Sequence, residues 1–277
     1  MINSHLQFQY IQFESGYWEK AETEVIMEVP VSLTVNGEFW LTFMCTPVDL
    51  EALAVGFLYN EGLISTKDEI ASVNLCATGD NIDVWLYHPV QEPEKWRKTS
   101  GCTGGFTSVE LELSKQYIQH QINNNGTILN PSDISNIVEQ LFKSQSLYRR
   151  TGGVHTSGLY DGHEMILIAE DIGRHNTLDK IAGLYLLQNI QQPNKVIVST
   201  GRISSEMLQK SAKLGASIVI SRTSPSSLSI QLAENYGITL IGYARRGQFK
   251  VYTHPQRIFQ SIEGPLNQNN SIKTSNE

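Results

Sequence analysis

Apolar residues along the chain recur first with the two-residue period of strands, then with a helical period, and later in alternating blocks of both. Residues 24–30 and 31–35 alternate as strands do, and Asn36-Gly37 gives a strong type I′ hairpin signal before a strand at 38–44. Thr46-Pro47 punctuates the chain. Beyond it Leu50, Leu53, Ala54, Phe57 and Leu58 fall at i, i+3, i+4, i+7 and i+8, which predicts a helix stopped by Gly62. Two more strands, 70–77 and 82–87, are joined through Thr78-Gly79-Asp80-Asn81. Residues 1–20 show no clear period and are expected to form a loose or β-type leader.

The Gln- and Asn-rich stretch 119–130 reads as a linker or exposed loop. Pro131 suits the first turn of a helix with a core face of Ile134, Ile137, Val138, Leu141 and Phe142. From residue 150 strands alternate with helices. Strands are predicted at 165–169, 196–199, 218–221, 238–242 and 249–253. The helices between them run through Leu178, Ile181, Ala182, Tyr185 and Leu186, through Met207, Leu208 and Ala212, and from Ser224 as N-cap with Pro225 at the first position to Gly237. The sequence thus predicts an α/β protein: a leader (1–20), a small α+β domain (21–125), an α/β domain (126–262) whose mainly parallel or mixed sheet is covered by helices, and a disordered tail (263–277).

Composition narrows the function classes. The 277 residues carry a net charge of −7 without a basic stripe, which argues against nucleic acid but leaves room for local positive clusters that hold a phosphorylated small molecule. Three distant cysteines fit a reducing compartment better than a disulfide framework. No Cys-x-x-Cys or His-x-Glu pattern offers a zinc site. No secretory signal or membrane-spanning run is found, so a cytoplasmic protein is expected.

Two places carry candidate chemistry. Cys102 sits among glycines 101, 104 and 105, just after Lys95, Arg97 and Lys98, an accessible setting in which nearby positive charge favours the nucleophilic thiolate. A free thiol in a loop is the plainer reading of those residues alone. Cys45 and Cys76 read as buried strand cysteines. The second place is a crevice beyond the carboxyl ends of the later strands, where four turns each bring arginine: Arg174, Arg202, Arg222, and Arg245 with Arg246. Helix N-termini after such turns offer free N–H groups, and arginine adds a planar fork suited to phosphate. The residues 151–158 read as another small-residue turn, following Arg149 and Arg150. In it His155 either orients a ligand, serves as a base or is simply structural, and His175 poses the same choice. Asp171 and Asp179 read as turn and helix-surface residues.

Several motifs occur together in order: Thr46-Pro-Val-Asp-Leu-Glu51, Thr151-Gly-Gly-Val-His155, Glu170-Asp-Ile-Gly-Arg-His-Asn176 with Leu178-Asp-Lys180, Ser199-Thr-Gly-Arg202, Ser224-Pro-Ser-Ser-Leu228 and Val251-Tyr-Thr-His-Pro-Gln-Arg257. In these the chain resembles the FdhD family of formate dehydrogenase accessory sulfurtransferases. The resemblance implies a cytoplasmic homodimer that takes sulfur from a cysteine desulfurase as a cysteine persulfide. The sulfur then passes to the bis-molybdopterin guanine dinucleotide form of the molybdenum cofactor, before insertion into the catalytic subunit of formate dehydrogenase. It further implies a C-terminal domain of cytidine-deaminase-like fold without zinc. By position Cys102 matches the persulfide cysteine, and Tyr243, Ala244, Arg245, Arg246, Gly247 and Gln248 match the cofactor-binding segment; His155, Arg174 and Arg202 are secondary candidates beside them. Many family members carry Cys-x-x-Cys where this chain has Cys102 and Gly105. That departure raises a competing expectation, a chaperone that holds the cofactor without transferring sulfur. A zinc deaminase is the third and weakest expectation.

Overall fold

The structure is a computed structural model that describes residues 3–92, 96–98, 106–108, 118–119, 122, 126–245 and 247–258. The chain opens as a long antiparallel hairpin, β1 (His5–Glu14) and β2 (Tyr17–Ile26). The leader is therefore regular β structure. A four-stranded mixed sheet follows, in the order β4-β3-β6-β5. It comprises β3 (Val29–Val35), β4 (Glu38–Cys45), β5 (Ile70–Leu75) and β6 (Asn81–Leu86). The Asn36-Gly37 turn is where the sequence places it, with both residues at positive φ (51° and 85°). Helix α1 (Leu50–Asn60) covers one face of this sheet. Strands β7 (Trp96–Lys98) and β8 (Phe106–Ser108) pair antiparallel.

The remaining elements build a six-stranded mixed sheet in the order β10-β9-β11-β12-β13-β14. Its strands are β9 (His155–Tyr160), β10 (Met165–Asp171), β11 (Val196–Ser199), β12 (Ile218–Ser221), β13 (Thr239–Arg245) and β14 (Gln248–Val251). The helices are α2 (Pro131–Ser144), α3 (Leu147–Thr151), α4 (Arg174–Leu187), α5 (Ser205–Lys213) and α6 (Ser227–Tyr236). Alternate strand residues feed two cores. Leu159, Ile197, Val219 and Leu240 pack with residues of α4, α5 and α6. Tyr160, Val198, Ile220 and Ile241 pack with Ile134, Ile137 and Leu141 of α2. Covered on both faces, β11 and β12 are fully buried, which is why they read as unbroken apolar runs.

Helix α1 is apolar nearly all round because it also packs along α4. At the crossing, a Cβ on Gly56 would overlap the carbonyl of Asp179, and one on Gly183 the carbonyl of Ala52, so the backbones are in direct contact. The two sheets are joined through this helix pair.

Several local expectations need correction. Residues 151–158 are not one turn: Thr151 ends α3, Gly152 caps it in the left-handed region, and β9 starts at His155. The N-cap of α6 is Ser226, whose Oγ accepts from the Ser229 N–H, while Pro225 forms a bridge to Ile203. Cys76 follows β5 in the turn, half-exposed, where its thiol donates to Asp80 (3.0 Å) and its sulfur accepts from the Asn81 N–H (3.1 Å). Cys45 is buried on β4 as expected. Among the described residues no helix is long and apolar enough to cross a membrane.

Candidate functional site

Strand direction assembles the arginines. β10 and β11 each lie antiparallel to β9, and β11, β12 and β13 are mutually parallel. The carboxyl ends of β10, β11, β12 and β13 therefore share one edge, and the turns bearing Arg174, Arg202 and Arg222 leave from it. Arg245 ends β13 there. Because β9 and β14 run the other way, their first residues, His155 opposite Asp171 and Gln248 opposite Arg245, lie at the same edge.

At one end of the edge is a small cavity of about 180 Å³ lined by Arg174, Arg202, Ser204, Ser224, Pro225 and Ser226. The loops after β11 and β12 are tied together there by Ile203 N–H to Ser224 O and Ser226 N–H to Ile203 O. Ser204 and Ser226 are the N-caps of α5 and α6, so two positive helix ends converge, and Arg174 is the first residue of α4. Gly201 makes the close approach possible: a Cβ on it would stand 3.1 Å from Arg174 Cβ and 3.5 Å from His155 Nδ1. Burial and the neighbouring Arg174 push His155 below the ordinary histidine range, so its imidazole is neutral and can accept a proton or a hydrogen bond.

Under this cavity lies a chain of buried ionic groups. His175 Nε2 is 3.0 Å from Glu206 and 3.2 Å from Ser204 Oγ. Burial pushes His175 down to about 2 and the Glu206 carboxyl up to about 7, so below about pH 7 the proton between them sits on Glu206 rather than on the imidazole. Lys210 donates to both oxygens of Asp179 (2.7 and 2.6 Å), which also accepts from Asn60 (2.8 Å). Lys180 pairs with Asp171 at 2.7 Å, both fully buried, and donates to the carbonyls of Thr46 and Glu170. Asp179 is thus 2% exposed and Asp171 fully buried, neither a surface residue. Their partners Thr46 and Asn60 come from the first half of the chain.

The folded protein holds on Glu206 a proton that the unfolded chain releases near 4.5, so this group's stabilisation is complete below that pH and is lost as pH rises to about 7. The melting temperature of the wild type relative to Glu206→Gln is expected to fall between pH 5 and 8. A constant difference would place the proton elsewhere.

At the other end of the edge, a groove of about 800 Å³ is lined by Ser135, Phe142, Arg222, Arg245 and Gln248 among others. The Arg222 guanidinium lies 4.7 Å over the Phe142 ring. A bulge between Gly242 and Arg245, with Tyr243 at φ 55°, bends β13 and turns Arg245 outward. Lys250 sits 4.8 Å over the Tyr243 ring. Ala244 is buried in the core, so that position offers a ligand only its main chain. The expected single crevice is therefore two neighbouring pockets on one edge, with His155, Arg174 and Arg202 at one and Arg222, Arg245 and Gln248 at the other.

Cys102 and Arg246 lie outside the described residues; position 102 falls between β7 and β8. Sequence reasoning missed Glu206 and Lys210. On α5 they read as ordinary helix charges, and only the packing of α5 on α4 buries them.

The sequence profile described as the FdhD/NarQ family matches residues 26–259. The chain is 37% identical over 254 residues to the sulfur carrier protein FdhD of Bacillus subtilis (strain 168), covering 89% of this chain and 95% of that one. It is 34% identical over 254 residues to the protein of the same name from Staphylococcus aureus (strain MRSA252), covering 91% and 95%. In structure it is similar to a candidate formate dehydrogenase accessory protein from Desulfotalea psychrophila, with a TM-score of 0.74 and 27% identity over 93% of this chain and all of that one. With nine-tenths of its length matched by these relatives, the chain belongs to the FdhD/NarQ family.

Proposed function

We propose that the protein is a cytoplasmic sulfur carrier in formate dehydrogenase maturation, with Cys102 as the carrier. The observation that supports this most is the 37% identity, over nearly the whole chain, to a protein named as a sulfur carrier. The Cys102 thiolate attacks the outer sulfur of a persulfide on a cysteine desulfurase. The donor's S–S bond breaks, its cysteine leaves as thiolate, and the sulfur rides on Cys102 as a persulfide. The acceptor is the molybdenum cofactor in its bis-molybdopterin guanine dinucleotide form, a substrate rather than a resident group. It is loaded before it enters the catalytic subunit of formate dehydrogenase.

The two edge pockets suit such an acceptor. The converging helix ends with Arg174 and Arg202 match a pyrophosphate, and the groove beside Phe142, Arg222 and Arg245 has an aromatic face and fixed positive charge for a guanine nucleotide. The segment 243–248 supplies its main chain and Arg246. We take residues 126–262 as a cytidine-deaminase-like domain without zinc, and the working form as a homodimer. The other two cysteines are poor substitutes for the second loop thiol that Gly105 replaces. Burial pushes the Cys45 thiol up to about 12, and Cys76 is held in its turn.

Incubation with a cysteine desulfurase and free cysteine should add one sulfur atom, localised by peptide mass spectrometry to Cys102. Cys102→Ser should abolish loading and formate dehydrogenase activation while retaining GDP binding. Arg222→Ala/Arg245→Ala should do the reverse, loading normally and binding GDP at least roughly 10-fold more weakly through loss of two charge-assisted contacts. Full activation by Cys102→Ser would favour the non-transferring cofactor chaperone instead.

A further inference from the structure

The hairpin β1–β2 leaves large apolar side chains uncovered: along its length on one face, and toward its tip on both. Its register pairs Leu6 with Val25, Phe8 with Thr23 and Tyr10 with Ala21 on one face, and His5 with Ile26 and Gln7 with Glu24 on the other. The second face is the anchored one. Arg150 donates to both oxygens of Glu24 (2.7 Å each), and Ile26 packs against Gly153. Leu6, Phe8, Tyr10 and Val25, on the face turned away, are 40–51% exposed. A sheet normally does the opposite, apolar toward the body and polar toward water. Eight of the fifteen large apolar side chains left exposed among the described residues belong to this one hairpin: Leu6, Phe8, Tyr10, Tyr17 and Val25 on the outward face, and Ile11, Phe13 and Trp18 on the other, beyond the anchored end. The family profile begins only at residue 26, where β2 ends.

We propose that this hairpin is an arm by which two copies of the chain clasp one another. Ten-residue strands give an arm about 33 Å long and, with two strands abreast, a face of roughly 330 Å². One arm on an unrelated partner would bury about 650 Å² counting both sides, less than stable interfaces use. Two arms exchanged across a two-fold axis, each lying on the body of the other copy, bury about 1,300 Å², within the standard range, because a two-fold repeats every contact. A two-stranded ribbon is also only marginally stable alone, and a second copy supplies the missing layer.

The inference rests on the homodimer read above, and the two can fail separately. In sedimentation velocity at micromolar concentration the full chain should be a dimer. Phe8→Glu/Tyr10→Glu, which touches no buried side chain, should weaken dimerisation by roughly 100-fold or more and sediment as monomer. Its far-ultraviolet circular dichroism outside the small hairpin contribution, and desulfurase-dependent loading of Cys102, should match the wild type, while its melting temperature should fall by the lost association. A chain lacking residues 1–26 should also be monomeric. A double variant that dimerises like the wild type overturns the arm while leaving the homodimer intact; a monomeric wild type overturns both.

Discussion

Replacing Asp171 by Ala should cost about 3–5 kcal/mol of stability, because it strands a buried lysine. Lys180 is fully buried, and Asp171 is its only anionic partner at 2.7 Å among the described residues. The same carboxylate accepts from the Thr46 and Gly173 N–H groups (3.1 and 2.7 Å) and from Asn176 Nδ2 (2.9 Å). All three lose an acceptor in the variant, and the ammonium keeps only the carbonyls of Thr46 and Glu170. For a chain of this size a loss of that order lowers the melting temperature by about 10 °C. The companion Asp171→Ala/Lys180→Met should recover much of the loss, since removing both charges avoids burying one alone. Urea unfolding of the three proteins measures both effects. A single variant within about 1 kcal/mol of wild type would mean that water reaches Lys180 and the pair is not a clamp.

The second large effect tests the helix crossing. On propensity alone Gly183→Ala, inside α4, should stabilise by about 1 kcal/mol. The added methyl, however, would stand on the carbonyl oxygen of Ala52, and a backbone atom of a packed helix cannot swing aside. Overpacking of this kind costs about 1–3 kcal/mol or more, so sterics wins and the variant should be destabilised by about 2 kcal/mol net. Gly56→Ala, on the facing helix, should behave alike. The double variant should cost less than the sum, because either methyl alone forces the helices apart. A gain in stability from either single change would refute the close contact.

The alternation of strand and helix after residue 150 was readable because the sheet's two faces are each closed by helices, which imposes unbroken apolar strands and one-sided helices such as α2. The arginine-bearing edge was readable because each arginine falls in the turn after a strand, and helix crossovers put such turns on one edge; the strand order, with β9 and β14 reversed, was not. The buried charges were not. In α4 the positions of Asp179 and Lys180 fall off the apolar stripe of Leu178, Ile181, Ala182 and Tyr185, the signature of a solvated face. That face is instead covered by α1 and α5, with polarity balanced pair by pair. Local periodicity records whether a residue is apolar, not whether a hydrogen-bond partner arrives from over a hundred residues away, as Thr46 does for Asp171 and Asn60 for Asp179. The uncovered hairpin was illegible too: residues 1–20 show no clear period because neither face of the ribbon is packed along its whole length, so no apolar stripe is imposed.

The reversed direction of β9 has a consequence for how the edge meets what it binds. Arg202 and Arg222 leave the sheet on exposed turns, where side chains can re-aim by several rotamers, whereas Arg174 is buried at the start of α4 against Gly201. His155 is the first residue of a strand held between two others, and its backbone is paired with Asp171 of β10. The edge therefore has one fixed corner, His155 with Arg174, and exposed arginines at 202 and 222 that can move. For the phosphorylated acceptor proposed above, the fixed corner would set the register and the exposed arginines would follow its phosphates, so that recognition and accommodation would fall to different residues.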